Sequence, residues 1–207
     1  MNSHTDADIE KAANHLRRVL GFESVNAPCV AVVLRNMPSL YSDFKIVRLI
    51  DDDMPDEEAW MDTEQSTLQV RETVYTAALA GQPRARFTIM HELGHLLLGH
   101  KGRFQRKGQD KKYDNASTRM KENEANKFAA YFLAPTDLAK GLSETELRET
   151  FQLSSQATSI ARERIDRDTR RRAGERRPLP ASVVDFLLEA KARGKVLNTD
   201  LRDYEPE

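Results

Sequence analysis

The sequence contains a single cysteine, Cys29, among 207 residues. A chain with one cysteine cannot close an internal disulfide, which argues against the small, disulfide-stapled class of secreted proteins. Cys29 opens the apolar run at residues 29–34. From this run we expect a β-strand with a buried, structural thiol.

Long apolar segments are also missing. No run reaches the roughly 18 apolar residues that a membrane span requires, and the polar N-terminal stretch has no apolar signal core. The formal net charge is only −1, so no global field draws the protein to nucleic acid or to a membrane. These absences predict a cytoplasmic protein without a membrane partner.

Hydrophobic residues make up 39% of the chain and charged residues 31%, which favours a compact core surrounded by charged helices. Caps and helical spacing predict helices over residues 5–20, 74–80, 83–100, 119–133, 143–151, 154–164 and 182–193. β-rich runs predict strands at residues 29–34, 44–50, 59–61 and 68–70. The polar, Gly- and Lys-rich stretch at residues 101–117 predicts a mobile loop.

The strongest motif is the pentapeptide at residues 91–95, which has the form H-E-x-x-H. Residues four apart on an α-helix are separated by about 400°, so His91 and His95 share a face and can bind one metal ion. Glu92 is placed to act as general base. Two histidines, a third protein ligand and one open position suit a single Zn²⁺, although manganese and cobalt accept such ligands too. Because Gly94 costs a helix about 1 kcal/mol relative to alanine, we expect another helix to pack closely there.

The helix predicted over residues 119–133 can supply the third ligand. Glu122 and Asn126 lie four apart and share a face, so Glu122 can bind the ion while Asn126 hydrogen-bonds a ligand imidazole. Glu124 is the alternative ligand, but it is rotated by about 200° from Glu122, so the two cannot face one metal from a regular helix. The amide partner one turn away favours Glu122.

Two blocks of this sequence resemble the ImmA/IrrE family of metallopeptidases. Residues 84–100 resemble the central block of the family, and residues 122–130, continuing to Pro135, resemble its second block. A looser likeness extends over about residues 8–164. The resemblance implies that Glu122 completes a gluzincin-like zinc site.

The same resemblance implies an α+β fold, with a mostly helical zincin-like core and a small sheet beside the active site. It also implies a helix-turn-helix-like segment after the core, a position that residues 142–164 fit. We therefore expect a peptidase core at residues 1–135, a helix-turn-helix-like segment at 136–177, and a C-terminal amphipathic helix and tail at 178–207.

A peptidase also needs a donor for the developing oxyanion, and His100, Tyr113 and Tyr131 are the candidates. His100 lies nine residues after His91, which is about 900° and half a turn away on a straight helix. We therefore expect its ring to point away from the metal and to interact with the last carbonyls of the helix.

Family members that resemble this chain cleave or inactivate repressor-type transcription factors in phage, mobile-element or stress-response circuits. The resemblance therefore implies a zinc endopeptidase whose protein substrate is a helix-turn-helix repressor. Two alternatives stay open: a non-proteolytic regulatory or DNA-interacting protein with a structural metal site, and a toxin-like partner of a repressor in a two-gene module. Glu92 favours the peptidase, because a structural site needs no base.

Besides the helix-turn-helix-like segment, the Arg-rich stretch at residues 162–177 suggests direct contact with nucleic acid. Acidic residues such as Glu163, Asp166 and Asp168 dilute its field. The composition is more typical of a solvated, salt-bridged helix, so the sequence favours a protein partner over nucleic acid.

Overall fold

A computed structural model describes residues 3–54, 57–107, 116–174 and 181–194. The helices in these ranges are α1 (Asp6–Val19), α2 (Val30–Leu40), α3 (Glu72–Leu79), α4 (Pro83–Leu97), α5 (Ala116–Leu133), α6 (Thr136–Ala139), α7 (Glu144–Phe151), α8 (Ser155–Arg172) and α9 (Ala181–Ala192). The strands are β1 (Lys45–Leu49), β2 (Glu57–Asp62), β3 (Thr67–Arg71) and β4 (Arg103–Lys107). A mostly helical α+β fold with a small sheet is therefore confirmed. Over the same ranges, no helix is both long and apolar enough to cross a bilayer.

Helix α1 begins with a reciprocal cap and docks on α5. The Thr5 side chain accepts from the backbone N–H of Asp8, and the Asp8 carboxylate accepts from the backbone N–H of Thr5. Ile9, Ala13 and Leu16 recur at helical spacing and are buried. This apolar stripe packs α1 against α5 and so ties the start of the chain to the helix that carries Glu122.

The four strands form one mixed sheet in the order β1-β3-β2-β4. β1 pairs with β3 in parallel, whereas β2 is antiparallel to both of its neighbours. Met61 of β2 lies opposite Leu68 of β3, and Ala59 lies opposite Val70; all four side chains are buried. Because β2 also packs against α4, the sheet supports the helix that carries the H-E-x-x-H motif.

Glu58 connects the sheet to α4 through hydrogen bonds. Thr88 Oγ1 donates to Glu58 Oε2 over 3.1 Å, and the Arg84 guanidinium donates to the other carboxylate oxygen. Both partners precede the motif by less than two turns of α4. These hydrogen bonds hold the first half of α4 against strand β2.

The strand predicted at residues 29–34 is wrong, because this segment begins helix α2. Val30, Val33, Leu34 and Met37 are buried at helical spacing, a period that becomes visible only when the run is followed to residue 40. Cys29 precedes the first helical residue and its side chain is exposed, so the expectation of a buried thiol is wrong as well.

The loop predicted over residues 101–117 is wrong in part. Its first half contains β4, which adds to the edge of β2, and its last residues begin α5 at Ala116. The stretch between β4 and α5, which includes Tyr113, lies outside the described residues. The helix predicted to end at residue 164 continues to Arg172.

The chain divides into two compact units, Met1–Asp166 and Arg167–Glu207. Leu147, Phe151 and Ile165 belong to the main hydrophobic core of the first unit. Arg86 of α4 donates to the carbonyls of Phe151 and Gln152, both over 3.2 Å. The three-part division predicted from the sequence, and the helix-turn-helix character of residues 142–164, stay predictions.

Candidate metal centre

Helix α4 carries both motif histidines on one buried face. Pro83 occupies the start of the helix, where its missing N–H costs nothing. The His91 and His95 side chains are 2% and 0% exposed, and their Nε2 atoms lie 3.2 Å apart. The four-residue spacing therefore aims both imidazoles at the same point.

Helix α5 brings a carboxylate to that point. Glu122 Oε2 lies 3.2 Å from His91 Nε2, and Glu122 Oε1 lies 3.5 Å from His95 Nε2. The Glu122 side chain is only 4% exposed. The structure thus brings together His91, His95 and Glu122, the three residues that the sequence proposed as ligands; they form the first cluster.

The two helices approach closely because Gly94 has no side chain. A Cβ built at Gly94 would lie 3.2 Å from Cδ1 of Phe128 and 3.3 Å from Cα of Ala125, tighter than most real contacts. The close helix packing expected from the sequence is present at this residue. It allows side chains from both helices to reach one ion.

The outer nitrogen of His91 faces an amide oxygen. His91 Nδ1 lies 2.9 Å from Asn126 Oδ1. An amide oxygen only accepts hydrogen bonds, so Nδ1 carries the proton and Nε2 presents a lone pair to the cluster. Asn126 thereby selects the tautomer that can bind a metal.

The outer nitrogen of His95 faces His100, contrary to the sequence-based expectation for that residue. His95 Nδ1 lies 2.9 Å from His100 Nδ1, and His100 Nε2 lies 3.0 Å from Glu124 Oε2. The prediction that the His100 ring points away toward the last carbonyls is wrong. Helix α4 ends at Leu97, so the extrapolation along a straight helix to residue 100 fails.

A Schellman motif turns His100 back over α4. Gly99 adopts a left-handed φ of +66°. Its N–H donates to the Leu96 carbonyl, and the N–H of His100 donates to the His95 carbonyl. In this motif the residue after the glycine commonly contacts the residue five positions earlier. Gly99 was therefore the sequence signal for a contact between His100 and His95.

The surroundings of His95 and His100 disfavour their protonated forms, whereas those of Glu124 favour its ionised form. Burial, with additional effects from His91 and His100, lowers the pKa of His95 well below its ordinary value. Burial also lowers the pKa of His100, against the opposing influence of Glu124. Burial raises the pKa of Glu124, but hydrogen bonds from His4 and His100 outweigh it, so its pKa is lowered overall.

The first cluster fits a tetrahedral divalent metal. Ligand atoms about 2.0–2.1 Å from a tetrahedral zinc ion lie roughly 3.3–3.4 Å from one another. The two Nε2 atoms are 3.2 Å apart, and they lie 3.2 and 3.5 Å from the two different carboxylate oxygens of Glu122. Two imidazole nitrogens and a carboxylate at these distances are a ligand set that could hold a divalent cation.

Glu92 lies beside this cluster. Its side chain is fully buried, and its Oε1 is 4.0 Å from His91 Nε2, the nitrogen that faces the other ligand candidates. Glu92 is not one of the three residues grouped as possible ligands, and its carboxylate would lie beside an ion held by them. The role of general base stays a prediction for Glu92.

The remaining candidates lie elsewhere. The Tyr131 ring is fully buried, with the Arg164 guanidinium carbon 4.3 Å from its centroid. Tyr131 follows Glu122 by nine residues, about half a turn around α5, so it lies on the opposite face. Glu124 belongs with His100 and not with the first cluster.

His4 is the residue near the site that the sequence did not single out. Its ring Nδ1 lies 2.8 Å from Glu124 Oε2, and its backbone N–H donates to Glu124 Oε1 over 3.0 Å. This contact joins residues 120 positions apart and depends on the docking of α1 on α5. The sequence around His4 contains no pattern that predicts this contact.

Comparison with known proteins establishes the class. Residues 46–162, more than half of the chain, match the model of a peptidase family described as the IrrE N-terminal-like domain. The chain belongs to this family, which is one of metallopeptidases. No curated protein shows a significant match.

Among solved structures, the chain is similar to a Mycobacterium tuberculosis transcriptional regulator. The two share 17% sequence identity with a TM-score of 0.50, over 75% of this chain and 46% of the other. This chain thus spans about half of the regulator's length. At this identity the likeness concerns the fold alone.

Proposed function

We propose that the protein is a zinc-dependent endopeptidase. One observation carries the proposal: the metal-facing atoms of His91, His95 and Glu122 converge at 3.2–3.5 Å, with the Glu92 carboxylate beside them. A structural metal site needs ligands only, whereas this one also has a buried carboxylate in the place of a base. Membership of a metallopeptidase family supports the same conclusion.

Each residue has a distinct task in this reaction. When bound, zinc polarises the scissile carbonyl and lowers the pKa of water. Glu92 takes the proton from the attacking water and passes it to the leaving amine. Asn126 holds the His91 ring in its metal-binding tautomer. Peptide hydrolysis then requires a water molecule and no further cofactor.

We propose a transcriptional repressor of the helix-turn-helix type as the substrate. The family supports a protein substrate, and the similar fold of a chain named a transcriptional regulator suggests a regulatory setting. A phage, mobile-element or stress-response circuit would supply such a repressor from an adjacent gene.

The decisive experiment compares Glu92→Gln with Glu149→Gln. The first change removes the proposed base and keeps the side-chain size, and the second makes the same chemical change at an exposed position of α7. Purified proteins are analysed for bound zinc and incubated with the repressor encoded beside the gene. We expect Glu92→Gln to retain its zinc but lose cleavage by roughly 10²–10⁴-fold, and Glu149→Gln to behave as wild type.

Undiminished cleavage by Glu92→Gln would refute the peptidase mechanism. Should this variant instead lose cleavage but still inactivate the repressor in cells, a non-proteolytic protein with a structural metal site would be the better description.

A further inference from the structure

A second group of metal-binding residue types lies next to the first cluster. His4, His100 and Glu124 place one potential ligand atom each within 4.8 Å of one another; we call them the second cluster. His100 and Glu124 are almost fully buried, whereas the His4 side chain is 34% exposed. The 2.9 Å contact between His95 and His100 connects the two clusters.

The direction of every hydrogen bond in the second cluster is determined by Glu124. An ionised carboxylate only accepts, so His4 Nδ1 and His100 Nε2 must both donate to it. A neutral His100 that donates from Nε2 has an acceptor at Nδ1. His95 must therefore donate from its own Nδ1, which leaves the lone pair of His95 Nε2 facing the first cluster.

The same proton positions argue against a metal ion in the second cluster while the first is filled. An ion held by His100 Nε2 would need the lone pair there and would leave the proton on Nδ1. That proton would face the Nδ1–H of His95 across 2.9 Å, placing two donors head to head. The distances agree, since 2.8 and 3.0 Å are hydrogen-bond lengths, shorter than the 3.2–3.5 Å in the first cluster.

We infer that His100 and Glu124 are positioning residues for His95, and that His4 holds Glu124 in place for this task. The inference rests on the proposed function, because it assigns His95 Nε2 to a metal. Hydrogen-bond partners of metal-binding histidines typically change metal affinity by roughly 10–100-fold when removed.

Three variants of purified full-length protein test the inference. His100→Phe keeps the ring volume but removes the acceptor for His95. His100→Asn returns an acceptor oxygen near the place of Nδ1. His15→Phe, at an exposed position of α1, is the matched control. Zinc affinity is measured by competition with a chromophoric chelator, and the visible spectrum of the Co²⁺ form reports the ligand geometry.

We expect His100→Phe to weaken zinc binding by roughly 10–100-fold and to alter the Co²⁺ spectrum. His100→Asn should recover most of the affinity and the wild-type spectrum, and His15→Phe should match wild type in both. Circular dichroism of the metal-free proteins establishes folding. If His100→Phe fails to fold, the affinity of His100→Asn is compared with that of His4→Ala, which should show a few-fold loss.

The outcomes separate the inference from the proposed function. A wild-type protein that binds no zinc refutes the metal centre itself. Wild-type zinc binding that His100→Phe leaves unchanged, or that His100→Asn fails to restore, overturns the positioning role alone. Two zinc ions per wild-type chain, with one lost in His4→Ala, would overturn it in favour of a second metal site.

Discussion

The two clusters contain the same residue types, two histidines and one glutamate, yet their geometry differs. In the first, the imidazole nitrogens and the carboxylate face each other at 3.2–3.5 Å. In the second, they are joined at 2.8–3.0 Å. In the first cluster the outer nitrogens of His91 and His95 face Asn126 and His100, so each Nε2 can present a lone pair to the cluster.

The comparison shows that residue type does not define a metal site. A metal-binding histidine almost always donates its other ring N–H to an acceptor, so the partners of the ring nitrogens matter as much as the residue types. Glu124 receives donors from His4 and His100 and is thereby committed to hydrogen bonding. Glu122 faces the Nε2 atoms of His91 and His95, with which it could hold a metal ion.

The largest expected effect is that of Glu122→Gln in the first cluster, which is compared with the same change at Glu124 in the second. Glu122→Gln removes the anionic ligand, and we expect zinc affinity to fall by roughly 10³-fold. This loss is a fraction of the total binding free energy that proteins commonly gain from zinc. Glu124→Gln keeps an oxygen that can accept from His100, so the loss should be about tenfold. Chelator competition measures both, and equal losses would show that the two clusters do not differ as described.

A change at Arg17 should have the next largest effect, through the docking of α1. Its buried guanidinium donates to the carbonyls of Phe132, Phe22 and Val25. Burial lowers its pKa to about 10, so the group stays charged at neutral pH. Arg17→Met should reduce the free energy of unfolding by about 2–4 kcal/mol, because three carbonyls lose a charged donor.

Urea denaturation measures this change, and Arg18→Met is its control. The Arg18 side chain is 66% exposed, so its loss should change the stability by at most about 0.5 kcal/mol. Similar stabilities for the two variants would contradict the role of Arg17 in fixing α1 to α5.

Gly94→Ala should affect the first cluster more than the fold. The added methyl group meets the Phe128 ring and the Ala125 backbone at 3.2–3.3 Å, so α4 and α5 must move apart by a few tenths of an ångström. Alanine also favours the helix by about 1 kcal/mol, which offsets part of the cost in stability. We expect about a tenfold loss of zinc affinity with little change in the melting temperature. Unchanged affinity would mean that the ligands adjust to helix spacing.

The smallest effect should come from Ser143, far along the chain in the cap of α7. Ser143 and Glu146 form a capping box, and the hydrogen bonds from Ser143 lower the pKa of Glu146. A carboxyl group whose pKa is lowered by folding stabilises the fold at pH values above its ordinary pKa. This stabilisation is lost as the pH falls through the pKa of the folded state. Ser143→Ala should therefore melt at a lower temperature than wild type at pH 7, with a smaller difference near pH 3.

Zinc affinity should be the same for Ser143→Ala as for wild type at neutral pH. A lower zinc affinity of Ser143→Ala would show that metal binding depends on residues far from the two clusters.

The sequence predicts the parts of the molecule whose signals are local. The long helices α4 and α5, the strands β1 to β3 and the convergence of His91 with Glu122 all follow from periodicity and spacing. The strand predicted at residues 29–34 fails because six apolar residues do not distinguish a strand from the first turn and a half of a buried helix.

The second cluster could not be predicted in full for a different reason. Its contact with His4 depends on the docking of α1 on α5, and the sequence around residues 4 and 124 does not predict that contact. The position of His100 was within reach, since Gly99 predicts a left-handed helix end and therefore a reversal of the chain. The error was to continue α4 through that glycine.

The placement of Glu122 and Glu124 two residues apart on α5 has a consequence for motion. The two side chains leave the helix about 200° apart, and each is engaged on its own side. A turn of α5 about its long axis in either direction would move both carboxylates sideways, away from their present partners. Such rolling is therefore opposed in both senses, and any opening of the site has to occur through other displacements.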